Sequence, residues 1–337
     1  MKRVLLSGAG GSIGCHTLAH LMKNTDWEVV ALDSFRHKGW TDRITEIFRE
    51  HPQWKARTYV YTHDLSTPIS SVLSGRINPI DYIINMASLS DVGTSIEDPG
   101  PFILNNVQLV INMLDYARQY RPSVFIQIST DEVYGPSGGH DEHPEWSTIL
   151  PSNPYAASKA AQEAVAISYW RSYNVPLIIT NTMNAFGEMQ QSKKFAAIVQ
   201  RKVLKGETVT IHGNEKTIGS RYYIHSRNFA DALLFILRNV TPHRHTDGEV
   251  DRPDRFNIVG DTRLSNLELA QKIAKILGKP LRYELQDFHS ARPGHDRHYG
   301  LAGAKLASLG WKPPVSFDES LTHTLEWNRK HPEWLEE

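Results

Sequence analysis

The chain has 337 residues, a length that suits one large domain with a smaller lobe. Basic and acidic residues number 37 each, and apolar residues make up 40% of the chain. This balanced charge argues against a protein that binds nucleic acid or a membrane surface by bulk electrostatic attraction. Any anionic ligand must therefore be held by a few locally placed groups.

The only cysteine is Cys15, so an intrachain disulfide is impossible and a reducing cytoplasm is the expected location. The apolar run near the N-terminus ends at Ser7. It is far shorter than the core of a signal peptide or a membrane span. We therefore expect a cytoplasmic protein without a membrane segment, and we interpret the run as a buried strand.

Strands alternate with helices through the first half of the chain. Strands are predicted at 3–7, 28–33, 57–61, 81–86, 123–129 and 176–181, and helices at 12–24, 104–120 and 155–173. This alternation is typical of right-handed βαβ units. It predicts an α/β protein built on a Rossmann-type, doubly wound parallel sheet.

Beyond about residue 185 the alternation gives way to shorter elements. Strands are predicted at 208–211, 222–224, 255–258 and 281–284, helices at 195–205, 228–239, 265–277 and 318–330, and an exposed polar loop at 241–254. We therefore predict a nucleotide-binding domain over 1–185 that carries the catalytic residues. A smaller C-terminal α/β lobe over 186–337 binds the substrate, and some of its strands and helices can return to the first domain.

Three glycines, Gly8, Gly11 and Gly14, are spaced as GxxGxxG between the first strand and the first helix. In dinucleotide-binding proteins the first such glycine permits a tight turn and the second lets a pyrophosphate approach the backbone. The third lets the helix pack closely on the strand. The helix begins near Ser12 and Ile13, where free N–H groups and the positive end of the helix dipole can bind phosphates.

Asp33 ends the second strand, about 20 residues after the glycine loop, as expected for a residue that binds the adenosine ribose. Its carboxylate can accept hydrogen bonds from the ribose diol and would repel a 2′-phosphate, so NAD is favoured over NADP. The basic residues of segment 36–38 offer an alternative site for that phosphate. Asp64, after the third strand, is either a turn residue or a partner of the adenine amino group.

Tyr155 and Lys159 are four residues apart at the start of a predicted helix, after the helix-start signal at 151–154. Residues at this spacing share one helix face. A nearby ammonium is expected to stabilise the phenolate and lower the pKa of Tyr155. The phenolate could then take a hydroxyl proton while a hydride leaves for NAD⁺. The alternative is a Tyr–Lys pair on a helix surface, which the upstream glycine loop disfavours.

Thr130, Asp131 and Glu132 follow the predicted strand 123–129. Ligands of such sheets bind at the carboxyl ends of the strands, where these side chains lie. Thr130 can bond the reacting hydroxyl beside Tyr155. Two adjacent carboxyls suit an elimination in which one takes a proton and the other gives one. The alternative is an exposed polar turn.

Four motifs together resemble one known family. They are Ser-Thr-Asp-Glu-Val-Tyr-Gly at 129–135, Pro-Ser-Asn-Pro-Tyr-Ala-Ala-Ser-Lys at 151–159, Thr-Asn-Thr-Met-Asn-Ala-Phe-Gly at 180–187 and Arg-Pro-Gly-His-Asp-Arg at 292–297. With the glycine loop, they resemble the extended short-chain dehydrogenase/reductase family of NAD-dependent epimerases and dehydratases. The resemblance extends along the whole chain and is greatest to the dTDP-glucose 4,6-dehydratases.

The resemblance implies a reaction on a nucleotide-diphosphate hexose. In these dehydratases, the residue matching Tyr155 removes the 4-hydroxyl proton while NAD⁺ takes the C-4 hydride. The residue matching Glu132 then removes the C-5 proton, and the one matching Asp131 protonates the departing 6-hydroxyl. Hydride returns to C-6, which leaves a 4-keto-6-deoxy sugar. The elimination needs the 4-ketone, because without it the C-5 hydrogen is too weakly acidic for a carboxylate to remove.

The resemblance also implies contact residues. We expect NAD to contact Gly8, Gly11, Ser12, Ile13, Gly14, Asp33, Ser34, Asp64, Leu65, Ala87, Ser88, Asn106, Tyr155 and Lys159. We expect the nucleotide sugar to contact Ser90, Asn184, Lys194, Thr210, Ile211, His212, Arg221, Asn257 and Arg292. The arginines match residues that bind the diphosphate, for which a planar guanidinium is well shaped.

No metal site is expected. The helices 104–120 and 155–173 are expected to form the four-helix bundle of a homodimer.

The chain departs from the family pattern in three places. In the loop 87–95 the usual Glu, His, Asp and Arg are replaced, His212 stands where a tyrosine is common, and the loop between Gly135 and Pro151 is shorter than in many of these dehydratases. These differences leave the sugar and the base open. Two alternatives also stay open: a 4-epimerase or uronate decarboxylase of the same fold, and a non-catalytic NAD-binding module.

Overall fold

The computed structural model describes residues 1–36, 39–138, 141–214, 217–248, 250–287 and 298–336. The strands are β1 (Arg3–Ser7), β2 (Glu28–Asp33), β3 (Thr58–Thr62), β4 (Tyr82–Asn85), β5 (Val124–Thr130), β6 (Leu177–Thr182), β7 (Ala185–Phe186), β8 (Val209–Asn214), β9 (Thr217–Ile218), β10 (Ser220–His225), β11 (Asp254–Ile258), β12 (Thr262–Ser265) and β13 (Tyr283–Gln286). The α-helices are α1 (Ser12–Asn24), α2 (Thr41–Glu50), α3 (Ser71–Ile77), α4 (Val92–Glu97), α5 (Pro99–Tyr120), α6 (Pro154–Tyr173), α7 (Phe195–Lys205), α8 (Ser226–Asn239), α9 (Asn266–Leu277), α10 (Ala304–Ser308) and α11 (Phe317–Lys330). Short 3-10 helices cover Pro52–Arg57, Asp131–Tyr134, His245–Asp247 and Pro332–Trp334.

Seven of the described strands form one parallel sheet in the order β11-β6-β5-β4-β1-β2-β3. The strand order reverses on passing from β1 to β4, so the carboxyl ends of these two strands flank a crevice suited to a dinucleotide. This architecture confirms the predicted Rossmann-type sheet. β11 comes from the second half of the chain, which agrees with the expectation that some later elements return to the first domain. The boundary at residue 185 stays a prediction.

Both faces of the sheet are covered by helices, which is why its strands are almost continuously apolar. Val4 and Leu6 of β1 belong to the core on the side of α1 and α8, while Leu5 belongs to the core beneath α5 and α6. This alternation follows from the two-residue period of a strand. The core therefore fixes the register of β1, and with it the position of the turn that follows.

The lobe contains two small sheets in the described residues, with the orders β12-β10-β7 and β13-β8-β9. Its core is made by apolar side chains of β8, β10, α7, α9 and α11, among them Ile211, Leu269 and Leu321. β10 pairs in parallel with β7, which follows the large sheet directly. This pairing places β10 next to the carboxyl end of the large sheet.

The predicted elements differ from the observed ones in a few places. The helices α2, α3 and α4 were not predicted, because they are short and carry few apolar residues. α5 begins at Pro99 rather than near 104, since a proline fits the first turn of a helix. Asp254 belongs to β11 instead of the polar loop 241–254, the rest of which is largely exposed. In the described part of the chain, no helix combines the length and apolarity that crossing a bilayer would need.

Candidate active site

The glycine loop forms a tight turn between β1 and α1. Gly8 adopts a φ of +71°, and its N–H donates to the carbonyl of Leu32 at 2.8 Å. A Cβ on Gly14 would lie 2.0 Å from the Gly8 carbonyl oxygen, and one on Gly8 would lie 3.0 Å from the backbone of Ala87. A side chain at Gly14 or Gly8 would therefore collide with the backbone of the turn or of Ala87. No side chain caps the N-terminus of α1 at Gly11, so backbone N–H groups near Ser12 and Ile13 are left for phosphate oxygens.

Asp33 lies at the carboxyl end of β2, as predicted. One carboxylate oxygen accepts the N–H of Gly10 and the other accepts the N–H of Phe35, each at 2.9 Å. A Cβ on Gly39 would approach Asp33 Oδ1 to 2.3 Å, so the following loop also passes close by. Asp33 therefore joins the glycine loop to the loop after β2. Ser34 follows directly, and its hydroxyl accepts the N–H of Arg36 at 3.4 Å.

The loop after β3 carries Asp64, for which the sequence left two roles open. One oxygen of Asp64 accepts the N–H of Ser66 at 3.0 Å, as in a turn, and the carboxylate also pairs with the Arg36 guanidinium. Asp64 therefore acts as a turn residue in the structure. The rest of the predicted basic segment, at 37 and 38, lies outside the described residues. Leu65 is buried, and its carbonyl accepts the amide of Asn112 at 2.7 Å.

The loop after β4 contains Ala87, Ser88 and Ser90, of which Ser90 is exposed. Asn106 on α5 is fully buried and bonds both the N–H and the carbonyl of Leu89, at 2.8 and 3.0 Å. Its amide nitrogen also donates to Ser158 of α6 at 2.8 Å. Asn106 was predicted to contact the cofactor. In the structure these bonds hold the loop after β4 against α5 and α6, and the cofactor contact stays a prediction.

Tyr155 lies in the first turn of α6 and bonds through its hydroxyl to the Thr130 side chain. The buried Lys159 donates to the carbonyl of Ile128 and to the Gln162 side chain, both at 2.7 Å. Burial and the negative charges of Glu132 and Asp131 raise the pKa of Tyr155 above its usual value. The expected lowering of the Tyr155 pKa is therefore wrong, because burial and the two negative charges determine the direction of the shift. Burial also lowers the pKa of Lys159 to about 8.

Asp131 begins the 3-10 turn that follows β5. Burial, with the charge of the adjacent Glu132, raises the pKa of Asp131 to about 7. A hydrogen bond from Thr130 at 2.9 Å and the charge of Arg221 act in the opposite direction. Among the described residues, Asp131 Oδ2 has no hydrogen-bond partner, although it is buried. Asp131 can therefore carry a proton near neutral pH and present it to a ligand.

Glu132 has a more polar environment than its neighbour. Its Oε2 accepts the Asn153 amide at 3.0 Å and the Tyr299 hydroxyl at 3.4 Å. Asn153 also caps α6 by accepting the N–H of Ala156. Sequence reasoning named neither Asn153 nor Tyr299 as a site residue. Asn153 lies within a quoted motif and could have been found, whereas Tyr299 had no signal beyond its position shortly after another motif.

Arg221 on β10 stands near this carboxyl pair. Its guanidinium lies over the Tyr299 ring at 5.3 Å, and its Nε has no hydrogen-bond partner among the described residues. The structure therefore brings a predicted diphosphate-binding arginine to the same place as the predicted catalytic turn. Asn184, after β6, is half-buried, and Lys194 is exposed before α7. Arg292 lies outside the described residues.

Two of the predicted substrate contacts need correction. Ile211 is fully buried in the lobe core, because alternate residues of β8 point to opposite faces, so only its backbone could meet a nucleotide. Thr210 and His212 are on the other face, where Thr210 donates to Glu284 at 3.1 Å. Asn257 is also fully buried, and its amide donates to the carbonyls of His143 and Ala302. It holds two loops together.

A parallel sheet with a glycine turn, an acid at the end of β2 and a Tyr–Lys pair on one helix is the arrangement of a short-chain dehydrogenase that binds a dinucleotide. The sequence pattern described as "NAD dependent epimerase/dehydratase family" matches residues 4–258. The chain belongs to this family, which confirms the resemblance and the prediction of NAD as cofactor. The cradle of the glycine loop, which any side chain would fill, fits that cofactor.

Three known proteins resemble this chain along nearly their whole length. The low-salt glycan biosynthesis protein Agl12 of Haloferax volcanii is 31% identical, with 96% of this chain and 97% of the relative covered. The dTDP-glucose 4,6-dehydratase of Neisseria meningitidis serogroup B is also 31% identical, with 99% and 95% covered. The crystal structure of DesIV, a dTDP-glucose 4,6-dehydratase of Streptomyces venezuelae with NAD bound, is 28% identical with a TM-score of 0.85, and 99% of each chain is covered.

Proposed function

We propose that this protein is an NAD-dependent nucleotide-sugar 4,6-dehydratase that converts an NDP-hexose to the NDP-4-keto-6-deoxyhexose. The observation that carries the proposal is the pair Asp131 and Glu132, which share one turn with different environments and lie beside Tyr155. An elimination needs a proton donor next to a proton acceptor. The dehydratases among the similar proteins support the same reaction, with dTDP-glucose as the leading substrate.

The first step is oxidation at C-4, for which bound NAD supplies a hydride acceptor. Gly8, Gly11 and Gly14 would leave room for its pyrophosphate at the start of α1, and Asp33 would meet the ribose. Tyr155, oriented by Thr130, would take the proton of the 4-hydroxyl. Tyr155 must be a phenolate before it takes this proton, and the positive charge of Lys159 would favour that form.

The second step is the loss of water between C-5 and C-6. Glu132, held through Oε2 by Asn153, would remove the C-5 proton made acidic by the 4-ketone. Asp131, whose pKa is raised to about 7, would give its proton to the departing 6-hydroxyl. The two carboxyls thus end the step with their protonation states exchanged. Return of the hydride to C-6 and of the proton from Glu132 to C-5 would then give the 4-keto-6-deoxy product and restore NAD and Glu132.

The diphosphate would be bound by Arg221 and Arg292, with Asn184 and Lys194 nearby. The base would lie along β8 near Thr210, His212 and the Ile211 backbone. Ser90 belongs to a loop that differs from the usual family pattern, so the choice of sugar and base is the least constrained part of the proposal.

The test is incubation of the purified protein with dTDP-, UDP-, CDP- and GDP-hexoses, followed by mass spectrometry and NMR of the product. We expect one of them to lose the mass of water and to gain a 6-methyl group and a 4-ketone. A product that keeps every hydroxyl and differs only at C-4 would replace the proposal with a 4-epimerase. Loss of carbon dioxide from a uronic acid would replace it with a decarboxylase, and no turnover at all would favour the non-catalytic module.

Glu132→Gln separates the reactions further. In a dehydratase this variant should lose elimination while C-4 oxidation persists, which is visible as the ultraviolet absorbance of reduced nicotinamide. In an epimerase it should have little effect, because no C-5 proton is removed.

The homodimer is also a proposal. α5 and α6 pack along each other, and Leu104 and Tyr173 remain exposed on them, at 72% and 45% of their surface. Exposed apolar side chains on two adjacent helices would be buried if a second copy completed a four-helix bundle. Sedimentation velocity should show a dimer in the micromolar range. A monomer at that concentration would contradict the proposal.

A further inference from the structure

The pair Glu163 and Arg255 is buried behind the catalytic turn, and none of the roles above uses it. We propose that Glu163 and Arg255 are positioning residues that hold both ends of the turn Asp131–Tyr134 and thereby place the two catalytic carboxyls. The proposal rests on the dehydratase function, which gives that turn its purpose, although its structural part can be tested without a substrate.

The pair is an ion pair with almost no exposure to solvent. Glu163 lies on α6, one turn beyond Lys159, and Arg255 lies on β11, the edge strand of the large sheet. Glu163 Oε2 and Arg255 Nη2 are 2.6 Å apart, and their side chains are 0% and 1% exposed. Replacing such a pair with apolar residues is often neutral or stabilising, so stability alone is a poor explanation for it. A role in fixing geometry is a better one.

Glu163 holds the start of the turn. Its Oε1 accepts the hydroxyl of Ser129 and, at 3.0 Å, the amide of Asn181. The same amide nitrogen donates to the carbonyl of Thr130 at 2.9 Å. The last two residues of β5, which lead directly into Asp131, are therefore tied to one buried carboxylate.

Arg255 holds the end of the turn. Its Nη1 donates to the hydroxyl of Tyr134 at 3.1 Å, and Tyr134 closes the 3-10 turn. The guanidinium is also packed over the ring of Trp146, 4.1 Å from its centroid, which restricts its movement. Because Glu163 and Arg255 are bonded to each other, the two ends of the turn are connected through a single ion pair.

Glu163 also acts on Lys159 through its charge. Burial lowers the pKa of Lys159 to about 8, and the Glu163 carboxylate partly opposes this effect. Without that charge, Lys159 would lose its proton at a lower pH. Removal of the Glu163 charge thus has an electrostatic consequence for Lys159 as well as a geometric one for the turn.

Kinetics with Glu163→Gln are the first test. This substitution keeps the size and the acceptor oxygen for Ser129 and Asn181 but removes the charge. We expect kcat to fall roughly 10- to 100-fold with KM within about twofold, because substrate contacts are unchanged while the reacting groups are misplaced. The alkaline limb of the pH–kcat profile should move to lower pH. The matched control is Lys272→Gln, which breaks the exposed ion pair of Lys272 with Asp318 and should leave kcat, KM and the profile unchanged.

A second pair of variants covers the case in which one uncompensated buried charge prevents folding. Glu163→Gln combined with Arg255→Gln removes both charges together and should fold, and its alkaline limb should still lie below that of the wild type. Arg255→Lys keeps a cation but not the fork that reaches both Glu163 and Tyr134. For Arg255→Lys, kcat should fall while the alkaline limb of the pH–kcat profile stays at the pH of the wild type. Wild-type kcat and pH profile in the folded double variant would overturn the proposal.

Amide hydrogen exchange tests the geometric part without any sugar nucleotide. Glu163→Gln should speed exchange at 130–135 while leaving β1 and the lobe core unchanged. Equal loss of protection throughout the molecule would identify the pair as ordinary core structure and overturn the proposal. If the wild type turns over no sugar nucleotide, the proposed function fails, yet the exchange result still decides whether the ion pair holds the turn.

Discussion

Asp131 and Glu132 are adjacent in the chain, but the protein surrounds their carboxyls differently. Asp131 is buried with one oxygen lacking a partner among the described residues, whereas Glu132 accepts bonds from Asn153 and Tyr299. Two chemically similar side chains thus have different environments, which suits the proposed roles of acid and base. The difference gives a prediction for activity and for stability.

Asp131→Asn should lower kcat roughly 100-fold or more, because the amide cannot protonate the leaving hydroxyl. It should also stabilise the protein at pH 8. The pKa of Asp131 is raised to about 7 in the folded state, so ionising it there costs free energy that the unfolded chain does not spend. This cost is absent below the unfolded pKa of about 4, grows as the pH rises and is complete above about 7.

The measurement is the urea midpoint of both proteins at pH 5 and pH 8, together with kcat. The control is Asp251→Asn, at a side chain that is 82% exposed, which should change neither quantity. A variant that is slower but no more stable at pH 8 would contradict the assigned protonation of Asp131.

Tyr299 contacts both the proposed base and the proposed diphosphate-binding arginine. Tyr299→Phe removes only the hydroxyl bonded to Glu132, and we expect kcat to fall about tenfold with little change in KM. Tyr299→Leu also removes the ring beneath Arg221, so KM should rise roughly three- to tenfold in addition. Steady-state kinetics of the two variants separate the contacts. Identical effects on kcat and KM would show that the ring and the hydroxyl act as one packing unit.

The site could be predicted from the sequence only where its members are close together in the chain. The glycine loop, Tyr155 with Lys159, and Thr130 to Glu132 are local motifs whose chemistry follows from spacing. Tyr299 lies 167 residues from Glu132, and Arg255 lies 92 residues from Glu163. Such contacts depend on the tertiary fold and leave no local pattern. The direction of the Tyr155 pKa shift was mispredicted for the same reason, since it depends on burial and on charges from the turn after β5.

At the scale of elements, the sequence predicted the strands of the large sheet within one or two residues. The central strands are buried on both faces, so their apolar runs are unambiguous. The short helices α3 and α4 were not predicted, because tertiary contacts stabilise them more than their own composition does. The same limit explains the error in the predicted contact of Ile211. The sequence located β8 but did not show which of its two faces the lobe core covers.

The helix α1 packs tightly against the turn after β1, and this contact gives a test of the cofactor site. Gly14→Ala would place a Cβ 2.0 Å from the Gly8 carbonyl oxygen. The helix must then move away, so we expect NAD affinity to fall at least tenfold and the protein to lose about 1–3 kcal/mol of stability. Fluorescence titration with NAD and thermal unfolding measure the two effects.

Gly75→Ala is the matched control for that substitution. Gly75 lies within α3, and a Cβ there would have no neighbour within 4 Å. It should leave NAD binding unchanged and stabilise the protein by up to about 1 kcal/mol, because alanine favours the helix. Equal NAD affinity in the two variants would indicate that the glycine turn does not bind the pyrophosphate.

At the scale of the whole molecule, a cluster around the buried Glu188 joins the large sheet to the lobe. Glu188 pairs with His225, which ends β10, and with His323 on α11, at 3.2 and 2.6 Å. His16 on α1 bonds the carbonyl of Glu188 at 3.0 Å. Among the described residues, no group of three or more His, Cys, Asp or Glu side chains is arranged to hold a metal ion. The cluster is therefore an electrostatic contact between the two parts of the protein.

This cluster predicts how acid affects the whole fold. Burial lowers the pKa of His16 to about 4, well below its usual value of 6.5, so the native protein binds fewer protons there than the unfolded chain does. Stability must then fall as the pH drops from about 6.5 toward 4, with a slope of about 1.4 kcal/mol per pH unit for one proton. His16→Gln, which cannot titrate, should lose this component and show a flatter profile in that window.

The check is the urea midpoint measured between pH 4.5 and 8, with His245→Gln at an exposed position as the control. A His16→Gln profile parallel to that of the wild type would mean that other groups cause the acid sensitivity. A flatter one would identify the contact between α1 and the lobe as the part of the molecule that acid weakens first.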